Sequence, residues 1–414
     1  MTEKKTMLTV EQALQTLLGV VRPIQDVEEV ETLIGNGRVL ASAMTSSMDV
    51  PPRDNAQMDG YAVRATDCQD GNVLLPISQR IPAGYTGVTL QQNTAARIFT
   101  GAFLPDGADA VVMQEQCSVE DSNGQTMVRI RHQPQTGEWI RRKGEDISMG
   151  ATLLEAGTRL RPQELGLAAS VGLAKLTVVR RLRVAIFFTG DELTMPGETL
   201  KPGAIYNSNR FLLTALLQNL GCEITDYGNV SDNLADTRKI LREAAIRHDL
   251  ILTSGGVSVG EEDYIRPAVA AEGNISMWQI AMKPGKPLAF GEIRRTDSNL
   301  DTAFFLGLPG NPVSSFVTFL LFVRPFLLRL QGVRDINPIR IRVRADFNWS
   351  KADKRNEFLR VRMNQNGGLD LFHNQGSGVL TSTVWGDGLV DVAPGCTIQA
   401  GDVIDYLPFH ALMY

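Results

Sequence analysis

From Arg183 the chain alternates with a regularity that few folds accept. The apolar run RVAIFF is followed by the helical stretch SNRFLLTALLQNL, closed by Gly221, then by the run EITDYGNV, a helical stretch from Ala235 to Arg247, and the run DLILTS. Strand and helix alternating in this way predict a mainly parallel sheet with right-handed crossovers and helices on its faces. A further helix, the runs ISMWQIAM, LAFGEI and AFFLGL, and a long apolar helix from Val313 to Leu330 extend the pattern. Together they span roughly 150 residues, the size of one α/β domain.

The segment Asp249 to Tyr264, DLILTSGGVSVGEEDY, runs from a strand into a Gly-rich turn and then into acids suited to a helix start. Gly255, Gly256 and Gly260 permit backbone angles and close approaches that a side chain would block. A helix N-terminus carries about half a positive charge, so an oxyanion such as phosphate is the natural guest of the turn. Glu261, Glu262 and Asp263 would repel a bare anion, which points to a divalent cation, most simply Mg2+, between a carboxylate and the ligand. Glu261 stands where a P-loop needs its lysine, and there is no G-x-G-x-x-G in the segment, so neither a Walker motif nor a Rossmann dinucleotide site is indicated.

Ligands of open α/β sheets bind beyond the carboxyl ends of the strands. Acids recur there: Asp191 and Glu192 after RVAIFF, Asp232 after EITDYGNV, and Asp263 after DLILTS. Taken singly, each is an ordinary helix cap; three on one rim indicate a cation site. The following loops bring the opposite charge. KPGKP places Lys283 and Lys286 among Pro284 and Pro287, so the ammonium groups have little freedom to lose on meeting an oxyanion. Pro309 and Pro312 of GLPGNPVS set a rigid turn before the last helix, where Ser314 offers a hydroxyl. Acids for metal, lysines for oxyanions and glycines for close approach suit phosphoanhydride chemistry.

Elsewhere the text changes. Thr9 and Gln12 form a capping box before Leu14, Leu17, Leu18 and Val21 at helical spacing. Val50 to Asp146 holds short β-type runs between turn residues; Gly150 to Val179 reads as a compact helical pattern with Pro162 in a first turn, beside Val27 to Met48; and after Gly332 the chain is β-like without a convincing helix. With 414 residues, more than one hydrophobic core is expected. The expected organisation is a linking domain (27–50 and 147–177), an inserted β-rich domain (51–146), an α/β domain (7–26 and 178–330) and a C-terminal β-barrel or sandwich (331–414).

A net charge of -5, with the basic cluster Arg141 to Lys143 followed by Glu145 and Asp146, speaks against nucleic acid. No leader pattern follows Met1, and no stretch is expected to reach the roughly 20 apolar residues of a membrane span, so a cytoplasmic protein is expected. The four cysteines and four histidines are scattered, without metal-ligand or nucleophile spacing, which leaves acid–base work to carboxylates and lysines.

The combination SGGVSVGEEDY, KPGKP, GLPGNPVS and TGDE, with PPRDNAQMDGYAV earlier, closely resembles the molybdopterin molybdenumtransferases, the bacterial MoeA and gephyrin E-domain family. The resemblance spans nearly the whole chain. It implies a homodimer of four-domain subunits, with a central molybdopterin-binding α/β domain, that takes adenylylated molybdopterin and molybdate, inserts molybdenum and releases AMP with Mg2+ present. It further implies contact with a molybdopterin adenylyltransferase and with apo-molybdoenzymes.

Carried over by motif, Asp59 and Tyr61 of MDGYAV, Thr100 of FTGAFLP and Asp146 of RRKGEDI resemble active-site segments of the inserted domain. Glu192, Asp232 and Asp263 resemble the acidic, metal-holding set. Ser254, Gly255, Gly256 and Ser258, with Pro309 and Pro312, resemble the substrate cradle. Lys283 would touch the substrate, while Lys286, Ser314, Arg360 and Ser377 resemble the molybdate pocket. Arg360 and Ser377 lie in the C-terminal domain, so domains must meet there, within one chain or across a dimer. Three departures stand out: Arg53 and Gln57 in the MDGYAV segment, Gln279 where a basic residue is usual, and GSGVLTS without the histidine that often follows the serine. Two other readings are a molybdopterin adenylyltransferase or related nucleotide-cleaving enzyme, which would need none of the flanking domains, and a non-catalytic gephyrin-like scaffold.

Overall fold

The structure, a computed structural model, describes residues 7–122, 124–257, 264–295 and 301–413. Its centre is a six-stranded sheet in the order Glu223–Val230, Arg183–Thr189, Leu250–Ser254, Thr302–Leu308, Pro287–Arg294, Gly273–Gln279. The first four strands run parallel, and only Pro287–Arg294 opposes its neighbours. Alternate residues bury opposite faces. Ile186, Leu252 and Leu306 pack into one cluster, which also holds Leu213, Phe322 and Leu17; Phe187, Ile251 and Phe305 pack on the other face with Leu241 and Val269. Each such side chain withdrawn from water contributes about 1.5–3 kcal/mol, which explains why these strands read as unbroken apolar runs.

The helix Val10–Gly19 carries the expected capping box, Thr9 with Gln12, and sends Leu17 into the first cluster. Pro312 opens a 19-residue helical stretch to Leu330 that contains a π turn at Phe319–Val323. By length and composition this stretch could cross a membrane, contrary to the sequence expectation, yet 94% of it is buried inside the protein, where it serves as the core helix of the sheet.

Two sequence expectations are corrected outside the sheet. Only Pro162–Ser170 of the stretch Gly150 to Val179 is helical; Thr152–Leu154 and Lys175–Val179 are strands, paired with Met44–Thr45 and Val27–Glu31. Their apolar residues face the small core of Leu40, Leu160 and Val178, and a strand whose partner lies more than a hundred residues away leaves little local signal. The C-terminal part is a closed barrel, Asn356–Met363, Gly368–Leu371, Ile341–Ala345, Val403–Pro408, Gly388–Val392 and back to Asn356–Met363. It carries two one-turn helices that the sequence did not announce, Thr381–Trp385 and Phe409–Met413. A further six-stranded sheet, containing Gly60–Val63, Val73–Ile81, Ala95–Ile98 and Ala110–Met113, occupies the β-rich stretch.

Candidate functional site

In the central sheet the second strand in sequence lies on one side of the first, and the third lies on the other. The loops after Arg183–Thr189 and Leu250–Ser254 therefore flank the point where strand order reverses, the position at which open α/β sheets leave a crevice. A cleft of about 680 Å3 opens there. Thr189 at the end of the first strand lines it with Gly190 and Glu192 of the loop that follows, Asp232 from the second loop, Gly255 and Gly256 from the third, Pro309 and Asn311 from the loop before the core helix, and Ser314 from that helix's first turn. Lys283 and Lys286 close another side, and Arg355, Gln375 and Ser377 reach in from the barrel of the same chain.

The backbone makes this convergence possible at Gly255. Its φ is +97°, and a Cβ there would lie 2.6 Å from the carbonyl oxygen of Thr189. Adjacent loops are stitched below the cleft floor. Ser254, 2% exposed, donates to Pro309 O at 2.9 Å, meets Ser315 Oγ at 3.1 Å and accepts from Asn209 Nδ2 at 2.8 Å; the same amide donates to Gly310 O at 2.7 Å. The hydroxyl of Ser254 is thus used inside the fold and does not line the cleft. At the helix start, Val313 N donates to Ser377 O at 3.0 Å and Asn311 Nδ2 to Ser377 Oγ at 3.1 Å.

The charges are not equivalent. Lys283 Nζ is 2.7 Å from Glu357 Oε1, whereas Lys286 has no carboxylate within ion-pair distance among the described residues. Asp191 N donates to Asp232 Oδ2 at 3.3 Å. Arg360 is 1% exposed and lies behind the cleft, donating to Phe358 O, Gly376 O and Ser382 Oγ at 3.1–3.2 Å. Burial pushes its guanidinium down to about 10. It supports the 375–377 loop from beneath. Arg355 instead faces the cleft, bound through Nε and Nη2 to Asp353 at 3.0 and 2.8 Å, and that contact holds the Asp353 carboxyl down to about 2.

Of the residues expected from sequence, Glu192, Asp232, Gly255, Gly256, Lys283, Lys286, Pro309, Ser314 and Ser377 come together in this cleft. Pro312 sits in the first helical turn just behind it. Ser258 and Asp263 lie outside the described residues. Asp59, Tyr61, Thr100 and Asp146 do not line the cleft. Asp59 accepts from Thr100 N at 2.8 Å and Oγ1 at 2.7 Å, which lowers its carboxyl below the usual range. Tyr61 is buried under the Arg97 guanidinium, 5.2 Å from its ring centroid, and Asp146 is exposed. Of the departures, Arg53 meets Asp106 at 3.5 Å and Gln279 lies outside the cleft lining. Thr189, Asn311, Arg355 and Gln375 were missed. Thr189 is notable because its hydroxyl is buried without a partner among the described residues.

A divalent cation fits what is present. Glu192 and Asp232 share the cleft, and one or two carboxylates completed by phosphate oxygens and water are the usual Mg2+ set. No group of three potential metal-binding side chains occurs among the described residues, which by themselves supply a partial shell.

Fold and cleft together define an α/β protein with a crevice lined by lysines, carboxylates and glycines at its switch point, and residues 185–329 match the family model of a probable molybdopterin binding domain. Residues 8–172 match the MoeA N-terminal region and 342–409 the MoeA C-terminal region. A molybdopterin molybdenumtransferase of Haemophilus influenzae is 36% identical, covering 98% of this chain and 100% of that protein. Another from a Nostoc strain is 39% identical over 85% of this chain and 80% of its own length. A molybdopterin biosynthesis MoeA protein of Pyrococcus horikoshii superposes with a TM-score of 0.78 at 31% identity, covering 98% of this chain and 99% of its own. The chain belongs to the MoeA family of molybdopterin molybdenumtransferases.

Proposed function

We propose that this protein acts in molybdenum cofactor biosynthesis as a transferase that inserts molybdenum, delivered as molybdate, into adenylylated molybdopterin and releases AMP. The observation that carries the reading is the convergence of Glu192, Asp232, Lys286 and the Gly255–Gly256 turn on one cleft at the switch point of the sheet. The turn approaches the phosphates closely, Lys286 offsets charge gathering on the oxyanions, and Ser314 and Ser377 offer hydroxyls. Glu192 and Asp232 would hold Mg2+, which when bound supplies Lewis-acid stabilisation of the phosphoanhydride oxygens. The carboxylates also orient the attacking water or oxo group.

Because the Asp59–Thr100 pair does not line this cleft, we infer a homodimer in which the partner copy presents that segment to the site. Hand-over from a molybdopterin adenylyltransferase and on to apo-molybdoenzymes, in the cytoplasm, completes the proposal. The adenylyltransferase reading accounts for neither the barrel residues in the cleft nor the matches flanking the central domain. A pure scaffold has no need of the cleft's acids and lysines. Purified protein given adenylylated molybdopterin, molybdate and Mg2+ should release AMP, followed by chromatography; no release with all components present would remove the proposal.

A further inference from the structure

The barrel contributes more than a wall to the cleft. Its strand Asn356–Met363 pairs in parallel with the two-residue strand Met282–Lys283, placing Glu357 opposite Lys283. Glu357 is 3% exposed, and both its oxygens are engaged: Oε1 by Lys283 Nζ at 2.7 Å and Oε2 by the indole N–H of Trp349 at 2.8 Å. A carboxylate so buried is costly unless both oxygens are paired. Asp353 lies 4.0 Å from the same ammonium and is bound by Arg355. Arg355, Asp353, Lys283 and Glu357 therefore alternate in sign and cancel. Lys286, the next lysine of the same turn, meets no carboxylate within ion-pair distance among the described residues and lines the cleft. The turn between them is seated on its other side as well: Gly285 has φ +96°, and a Cβ there would lie 2.6 Å from Thr318 Oγ1 of the core helix.

Resting on the reading of this cleft as an oxyanion site, we propose that Glu357 is a positioning residue: it anchors Lys283 to the barrel so that the turn presents Lys286 to the oxyanion. The two lysines thereby divide the work, one as tether and one as contact. Only a carboxylate suits this place, because both neighbours are donors. An amide at 357 has one acceptor and one donor, so it must face Lys283 or Trp349 with the wrong group.

The test is a double-mutant cycle with two readouts. E357Q, nearly isosteric, should lower kcat for AMP release about tenfold or more by misplacing Lys286, with KM for adenylylated molybdopterin changed less than about threefold. K283M should do the same, and E357Q/K283M should be no worse than K283M alone, because one anchor is being removed twice. K283R keeps a donor for Glu357 and should retain activity within about threefold of the parent. Independently of turnover, calorimetric titration with molybdate should show affinity about tenfold weaker in E357Q. Additive losses in the double variant, a K283R as poor as K283M, or unchanged molybdate affinity in E357Q would each overturn the proposal. Should E357Q fail to fold, the K283M and K283R pair decides alone. Absence of AMP release by the parent protein would instead strike the functional reading, and the molybdate titration would still test the anchor.

Discussion

Replacing Ser254 by alanine separates a fold-building hydroxyl from a ligand-binding one. The side chain is 2% exposed and holds together the loops after two neighbouring parallel strands, through Pro309 O at 2.9 Å, Ser315 Oγ at 3.1 Å and Asn209 Nδ2 at 2.8 Å. Ser254→Ala does not orphan every partner. Asn209 Nδ2 keeps Gly310 O at 2.7 Å, and Pro309 O keeps the short hydrogen bond donated by Ser315. The net loss is therefore the worth of one or two neutral hydrogen bonds, about 1–2 kcal/mol. That corresponds to roughly a 5- to 30-fold increase in the local opening constant. The Gly255 amide, which donates to Leu308 O at 3.1 Å, reports the change by hydrogen exchange. Its protection should fall by that factor and kcat should drop as the floor loosens, while KM stays within about twofold. Unchanged protection with KM raised about tenfold would show that the hydroxyl faces the ligand, and the reasoning would be wrong.

Asp232→Asn should raise the Mg2+ concentration needed for half-maximal AMP release roughly tenfold or more, since a partial metal shell loses one of its charged oxygens; an unchanged Mg2+ profile would clear Asp232 of that role. Mixing the inactive variants Asp59→Asn and Lys286→Ala under subunit exchange should restore roughly a quarter of parental activity if each site draws on two copies, because half the dimers are mixed and each holds one intact site; no recovery would place both residues in one subunit's site. The Asp353 carboxyl, held down to about 2 by Arg355, contributes stability that is present above the usual carboxylate pKa of about 3.9 and is lost as pH falls from there towards about 2. Asp353→Asn should therefore flatten the fall of thermal stability in that window; an unaltered acid limb would show that the pair carries none of it.

The α/β core was legible because its strands are buried on both faces. Ile186 and Phe187, or Ile251 and Leu252, point to opposite faces and both must be apolar, while Gly255 stands where only glycine serves. The strands Thr152–Leu154 and Lys175–Val179 were obscured because their partners lie far away in sequence and their own faces are half exposed. The cleft was legible wherever a motif carried it, as at Glu192, Asp232, Lys286 and Ser377. It was illegible where a motif does not mark which of its members face the cleft, as with Thr189 of TGDE and Asn311 of GLPGNPVS, and where a side chain arrives without a motif, as with Arg355 and Gln375. Lys283 and Lys286 look alike in KPGKP. Their difference is set by Glu357, 74 positions further on, and no local pattern contains that pairing. Arg360 reads as a contact residue in sequence, yet its carbonyl partners hold it beneath the loop that lines the cleft.

The most direct test of the cleft as an oxyanion site is a crystal soaked with tungstate, an electron-dense mimic of molybdate, and measured at the tungsten absorption edge. The anomalous peak should lie between Lys286 and the Ser377 loop, and it should vanish in Lys286→Ala. A peak elsewhere on the protein, with this cleft containing only water, would contradict the account.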